Sequence, residues 1–187
     1  MANLQIALEK TLPWEIGRPK EGQDPGGYTN LATDRGGPTR WGITEKVART
    51  HGYEGDMKNF PKEWALQIYE KDYWRIIKLD EAQDQDIANQ IFQAAVNQGT
   101  PLWSKYIQQI CNRRLPGYEK LLSVDGIIGP KSIAAINKIS ISDRKGFSKT
   151  IYETQKKRYS DIIVCDPSQI DNKNGWDNRA EDFLITA

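Results

Sequence analysis

The sequence predicts a mainly α-helical fold with one small β-hairpin or loop element near residues 26–42. Beyond Thr44, apolar side chains recur at three- and four-residue spacing in segment after segment, the period of a helix face. The glycines and prolines of the first third gather between Ile16 and Gly42, so irregular backbone is concentrated there. No other region reads as non-helical, and no internal repeat is evident.

Each element has its own signal. Leu4, Leu8 and Leu12 fall at i, i+4 and i+8 and predict a helix over 4–12; Pro13 is expected to kink or end it just before Trp14-Glu15. Residues 16–27 read as a polar Gly/Pro-rich loop, and 28–42 as a small hairpin or irregular loop. Thr44 can cap a short helix reaching His51. Pro61 suits a first helical position, and Trp64, Ala65, Ile68, Tyr69 and Tyr73 carry the stripe to Trp74. Asp86 can cap the next helix, with Ile87, Ala88, Ile91, Phe92 and Ala95 inward and Gly99 as its stop. Thr100-Pro101 restarts a helix to about Arg113. Asp125 to Pro130 is a tight turn into a helix over 131–138. Asp143 opens the longest helix, which ends before Asp166-Pro167, and a last short one covers 175–183. The expected organisation is a region 1–99 followed by a helical segment 100–187 packed on it.

Composition narrows the function classes. With 26 basic against 25 acidic residues in 187, the net charge of +1 argues against electrostatic capture of nucleic acid. Mean hydropathy is −0.69 and no apolar run approaches a membrane span, so stable membrane insertion is not expected. The start Met1-Ala2-Asn3-Leu4-Gln5 has no basic region before a long apolar core, so no secretory signal is read. Cys111 and Cys165 stand in no metal-like spacing and are expected as buried free thiols. His51 is the single histidine, which leaves no His-based metal site and no Ser-His-Asp triad. No metal and no cofactor is expected, and the available catalysts are carboxylates.

The stretch richest in chemistry is Gly26-Gly27-Tyr28-Thr29-Asn30, then Asp34-Arg35-Gly36-Gly37-Pro38-Thr39-Arg40-Trp41-Gly42-Ile43-Thr44, reached from Trp14-Glu15. It resembles the Glu-Gly-Gly-Tyr signature of glycoside hydrolase family 108. Further pieces stand in family order: His51 to Met57, Ile68-Tyr69 with Asp72-Tyr73-Trp74, and Ala95-Val96-Asn97-Gln98-Gly99. Asp125-Gly126 with Gly129-Pro130 resembles the family's C-terminal peptidoglycan-binding signature, and Gly175-Trp176 with Arg179 its closing motif. The likeness spans nearly the whole chain.

The resemblance implies a lysozyme-like helical fold and an N-acetylmuramidase of the phage-endolysin or prophage kind, with peptidoglycan glycan strands as partner. It implies a catalytic glutamate directly before Gly-Gly-Tyr, but Pro25 stands there. Glu15, after a tryptophan at the end of an apolar segment, has the family glutamate's context, and residues 16–25 then look like an insertion. Glu21 and Asp24 inside it are the rival acids. Glycoside cleavage needs a proton donor at the leaving oxygen and a group that holds water or stabilises the oxocarbenium-like transition state. Glu15 is read as the acid, with Asp34 and Thr39 in the second role. Tyr28, Trp41, Tyr73, Trp74, Asn97 and Gln98 are read as substrate contacts. A catalytically inactive peptidoglycan-binding or secretion-associated protein and a lytic transglycosylase are the alternatives. A monomer is expected, made in the cytoplasm and acting in the periplasm or cell wall after holin-type or other non-classical export.

Overall fold

The computed structural model describes residues 1–30, 37–115 and 122–186. Among these are eight α-helices and one two-stranded sheet, in sequence order α1 (Leu4–Ile16), β1 (Thr39–Arg40), β2 (Ile43–Thr44), α2 (Glu45–Thr50), α3 (Lys62–Tyr69), α4 (Gln85–Gln98), α5 (Thr100–Arg114), α6 (Pro130–Ser142), α7 (Arg144–Cys165) and α8 (Lys173–Asp182). The mainly helical class and the small hairpin agree with the sequence reading. Packing divides the chain into two units, Leu8–Asp72 and Met1–Ala7 with Tyr73–Ala187.

In the first unit, α1 runs through Pro13 to Ile16, so the helix does not end before Trp14. Pro13 has no N–H to donate to the Glu9 carbonyl, yet Trp14, Glu15 and Ile16 remain helical beyond it. Glu15 therefore sits on the final helical turn. β1 and β2 pair antiparallel, Thr39 opposite Thr44 and Arg40 opposite Ile43, around the two-residue turn Trp41-Gly42. Both turn residues have positive φ, +56° and +73°, the type I′ geometry that matches strand twist. Thr44 caps α2 as expected, accepting from Val47 N–H. Pro61 is the N-cap of α3 rather than its first residue. Behind them lie Ile43, Ala48, Met57, Phe60, Ala65, Ile68 and Tyr69, all buried, with Tyr53 edge-on to Phe60 and Trp64. After Tyr69 the α-helix widens into a π-helical turn, Glu70–Trp74.

The second unit is a helical cluster in which α4 packs on α5 and α7, α5 on α6 and α7, and α8 on α7. Asp84, not Asp86, caps α4, accepting from the N–H groups of Asp86 and Ile87. Asp86 instead joins Asp84 in holding Arg144, an ion pair that only the fold brings together. Gly99 ends α4 at φ +96°, and Asp143 caps the 22-residue α7 through Gly146 N–H. Of the two thiols Cys111 is buried, and burial pushes it up to about 12; Cys165, at the end of α7, is exposed, contrary to expectation.

Candidate active site

The Leu8–Asp72 unit assembles most of the predicted chemistry around the end of α1. Glu15 is half-buried there, and its Oε1 is shielded from solvent. The hairpin turn lies against it. A side chain at Gly42 would come within 2.7 Å of Glu15 Cβ and would also strike the Tyr69 hydroxyl, so only glycine admits this approach.

The turn is held from three sides. Trp41 N–H donates to the Gly26 carbonyl at 2.7 Å, and the Trp41 carbonyl accepts from the Tyr69 hydroxyl at 3.0 Å. The indole Nε1–H donates to the Phe60 carbonyl at 3.1 Å. These bonds offset the roughly 1–2 kcal/mol that a left-handed non-glycine residue costs. Trp41 thus has its polar edge committed to the scaffold, with Arg40 and Lys62 over its ring.

The segment 17–25 leaves the helix and returns to it. Gly27, at φ +60°, lies so close to the end of α1 that an added Cβ would stand 2.6 Å from the Ile16 carbonyl oxygen. Gly26 is packed as closely against Arg40 and Trp41. The two glycines therefore bring the chain back to Ile16 at the end of α1 and to the hairpin, although ten residues separate Glu15 from Gly26 in sequence.

The rival acids have other surroundings. Asp24 pairs with Arg40 at 2.6 Å and accepts from the N–H groups of Tyr28 at 2.8 Å and Gly26 at 3.2 Å. Burial alone would raise its carboxyl, but the Arg40 guanidinium and these two N–H donors outweigh it and hold Asp24 below the usual carboxylate range. A carboxyl so stabilised as an anion fastens the loop to the hairpin and is a poor proton donor. Glu21 is exposed.

Thr39 Oγ1 donates to the Gly37 carbonyl at 3.1 Å, leaving its oxygen as an acceptor, while its backbone bonds Thr29 in both directions. Tyr28 is half-buried. Asp34 lies outside the described residues. His51 holds Asp72 through Nε2 at 2.8 Å, a structural bond within the same unit.

Tyr73, Trp74, Asn97 and Gln98 belong to the other unit. Tyr73 is half-buried, whereas Trp74 is buried edge-on to Phe92 at 5.6 Å. Asn97 Oδ1 accepts from the Tyr159 hydroxyl at 2.7 Å, and Gln98 Oε1 accepts from Trp103 Nε1–H at 2.9 Å. The Asp125 turn is built by its neighbours: Asp125 Oδ1 accepts from Gln108 Nε2 and Ile127 N–H, and Gln108 Oε1 accepts from Gly126 N–H, each at 2.8 Å. The Gln108 and Ile127 donors hold the Asp125 carboxyl below its usual range. Beside this turn is a cavity of about 430 Å³ lined in part by Ser123, Lys131 and Ser132. Sequence reasoning missed the Arg40–Asp24 clamp: Arg40 stands in the quoted motif and Asp24 in the insertion before it, and only their opposite charges hint at the pair. Among the described residues no cluster of His, Cys, Asp or Glu could hold a metal, and no helix is long and apolar enough to cross a membrane.

Residues 8–99 match the family model described as glycosyl hydrolase 108, and residues 103–181 match the one described as a predicted peptidoglycan domain. No curated protein matches. The solved structure of Brucella abortus SagA superposes with a TM-score of 0.65 over 98% of each chain at 20% identity, which is a likeness of fold. The chain belongs to the glycosyl hydrolase 108 family over residues 8–99, followed by a peptidoglycan domain over 103–181.

Proposed function

We propose that this protein is an N-acetylmuramidase that hydrolyses the β-1,4 bond between N-acetylmuramic acid and N-acetylglucosamine in peptidoglycan, with Glu15 as general acid. One observation carries the reading. The loop 17–25 closes on itself so that Gly27 lies against Ile16, the residue after Glu15, while Glu15, with one oxygen shielded from solvent, lies against Gly42 of the hairpin turn. The departure at Pro25 is thereby compensated in space, while Asp24 is tied up as an anion and Glu21 is exposed.

In this reading Glu15 gives its proton to the glycosidic oxygen as the bond to the sugar's C1 breaks, so that the leaving sugar departs as an alcohol. Positive charge develops on C1 and the ring oxygen. Water attacks C1, oriented by a hydrogen bond to Thr39 Oγ1, whose own proton is directed to Gly37. Asp34 is assigned the carboxylate role at this step on the family pattern, taking the proton that the water gives up as its oxygen bonds to C1. In this reading the protein acts on glycan strands in the periplasm or cell wall.

Glu15→Gln keeps size and hydrogen bonding but removes the transferable proton. Clearing of a peptidoglycan suspension is expected to fall by about 10² or more, with melting temperature unchanged. Glu21→Gln should keep wild-type activity. Activity of Glu15→Gln within a few-fold of wild type would remove Glu15 from the mechanism. Mass spectrometry of the released fragments should find reducing muramic acid ends; 1,6-anhydro ends would mean a lytic transglycosylase instead.

A further inference from the structure

Two motifs that the catalytic reading leaves unused, Asn97-Gln98 at the end of α4 and Gly175-Trp176 on α8, meet in the second unit. With Arg158, Tyr159 and Ile162 of α7 they enclose a cavity of about 220 Å³. One wall is aromatic. Trp176 stacks on Tyr159 with ring centroids 5.1 Å apart and planes 22° from parallel. Tyr159 is 2% exposed, and burial pushes its hydroxyl up to about 12, so it stays protonated and neutral.

This wall is fixed from behind by a continuous chain of buried hydrogen bonds. Arg179 donates to the Gln93 side chain and carbonyl, each at 3.2 Å, and Gln93 Nε2 donates to Gln155 Oε1 at 2.8 Å. Gln155 Nε2 donates to the Tyr159 hydroxyl, which donates in turn to Asn97 Oδ1, both at 2.7 Å. Since Asn97 Oδ1 is engaged, its amide nitrogen is the donor left to the cavity side. Arg179 of the closing motif therefore works inward, and Trp176 is the motif's contribution to the cavity.

The cation is Arg158. It is half-buried, and among the described residues no carboxylate pairs with it and its buried Nε–H has no acceptor. Acids around it pair elsewhere: Asp161 with Lys157 at 3.0 Å, Glu153 with Lys149 at 3.9 Å, and Asp177 with both Lys173 and Lys156. Arg158 also borders a second hollow, of about 310 Å³, with Arg113 and Tyr106 on its far side. A half-buried guanidinium without a counter-ion is costly, and a carboxylate satisfies it in bidentate fashion. At 220 Å³ the cavity is below the usual range for a drug-sized ligand, so it fits one sugar or one or two amino-acid residues.

We propose that this cavity binds a carboxylate-bearing unit of peptidoglycan, with Arg158 taking the carboxylate, Asn97 donating beside it and Trp176 covering the apolar face. This rests on peptidoglycan being the ligand of the chain. Peptidoglycan offers such a carboxylate on the lactyl ether of muramic acid and on its stem peptide, and the test separates the two.

Binding of N-acetylmuramic acid, of an L-Ala-D-Glu-containing stem tripeptide and of chitotriose, which has no carboxylate, is to be titrated by calorimetry and tryptophan fluorescence. One or both carboxylate ligands should bind and shift the emission, and chitotriose should not. Binding of the sugar acid alone identifies the lactyl group; binding of the tripeptide alone identifies the stem. Arg158→Gln should weaken the carboxylate ligand at least tenfold with melting temperature held, and Trp176→Phe should abolish the emission change while the protein stays folded. Equal affinity in folded Arg158→Gln, or equal binding of chitotriose, overturns the proposal. So does a wild type that clears peptidoglycan yet binds neither carboxylate ligand. A wild type that neither clears nor pellets with peptidoglycan overturns the broader reading, and this one with it.

Discussion

Gly42 is the residue on which the candidate site's geometry depends most directly. It needs a positive φ, and it has to lie where a Cβ would collide with Glu15 and Tyr69. Gly42→Ala meets both penalties together, so a loss of about 1–3 kcal/mol is expected, read as a lower melting temperature. Peptidoglycan clearing should fall further than the folded fraction does, because the turn and Glu15 cannot both keep their places. Activity in strict proportion to folded protein would show that the contact serves packing alone. Asp24 makes a different prediction. Its folded-state carboxyl is held below the unfolded value of about 3.9, so its contribution is complete above that pH and is lost as pH falls through the lower folded value. Asp24→Asn should therefore melt below wild type at pH 7, with the gap closing below about pH 4. A gap independent of pH would mean that the Arg40 pair contributes nothing to stability.

At the scale of elements, the loop 17–25 is an excursion whose ends meet at Ile16 and Gly27. Its length enters stability only through closure entropy, about 0.6 kcal/mol per doubling. Its last residues matter more, because Asp24 fastens them to Arg40 and to two backbone N–H groups. Removing residues 19–22 while keeping Asp24 should leave melting temperature and clearing activity near wild type. Loss of activity at an unchanged melting temperature would show that the removed residues carry chemistry. The hairpin and α3 bear on the same site from the other side: the Tyr69 hydroxyl reaches back to Trp41, so a helix 28 residues away sets the turn.

At the scale of the molecule, α4 is the element to test. All nine residues from Ile87 to Ala95 are buried, so α4 is covered on every side, as in the interior of a larger bundle. Its cover comes from α5 and α7, although the family match that contains α4 ends at residue 99. A chain of residues 1–99 should therefore fail to hold α4. Amides of 87–95 are expected to be protected from exchange in the full chain and to exchange rapidly in the fragment. Equal protection in both would show that the first region is self-sufficient.

What the sequence determined alone is local and periodic. Helix faces, the caps at Thr44 and Asp143, the stop at Gly99 and the glycines at the hairpin all follow from a residue's own conformational or hydrogen-bonding preference. Together, the motifs in order were enough to identify the family. What only the tertiary structure decided depends on partners distant in sequence. Pro13, a helix breaker by its own chemistry, stays inside α1, which runs on to Ile16. Asp84 caps α4 while Asp86 turns to Arg144, sixty and fifty-eight residues away along the chain. Gly27 returns to Ile16 because a loop closes, and among the described residues Arg158 has no paired carboxylate while neighbouring acids pair elsewhere. Periodicity reports which face of a helix is apolar. The partner of a charge, or the backbone that a glycine admits, is settled only when separate segments compete for the same space.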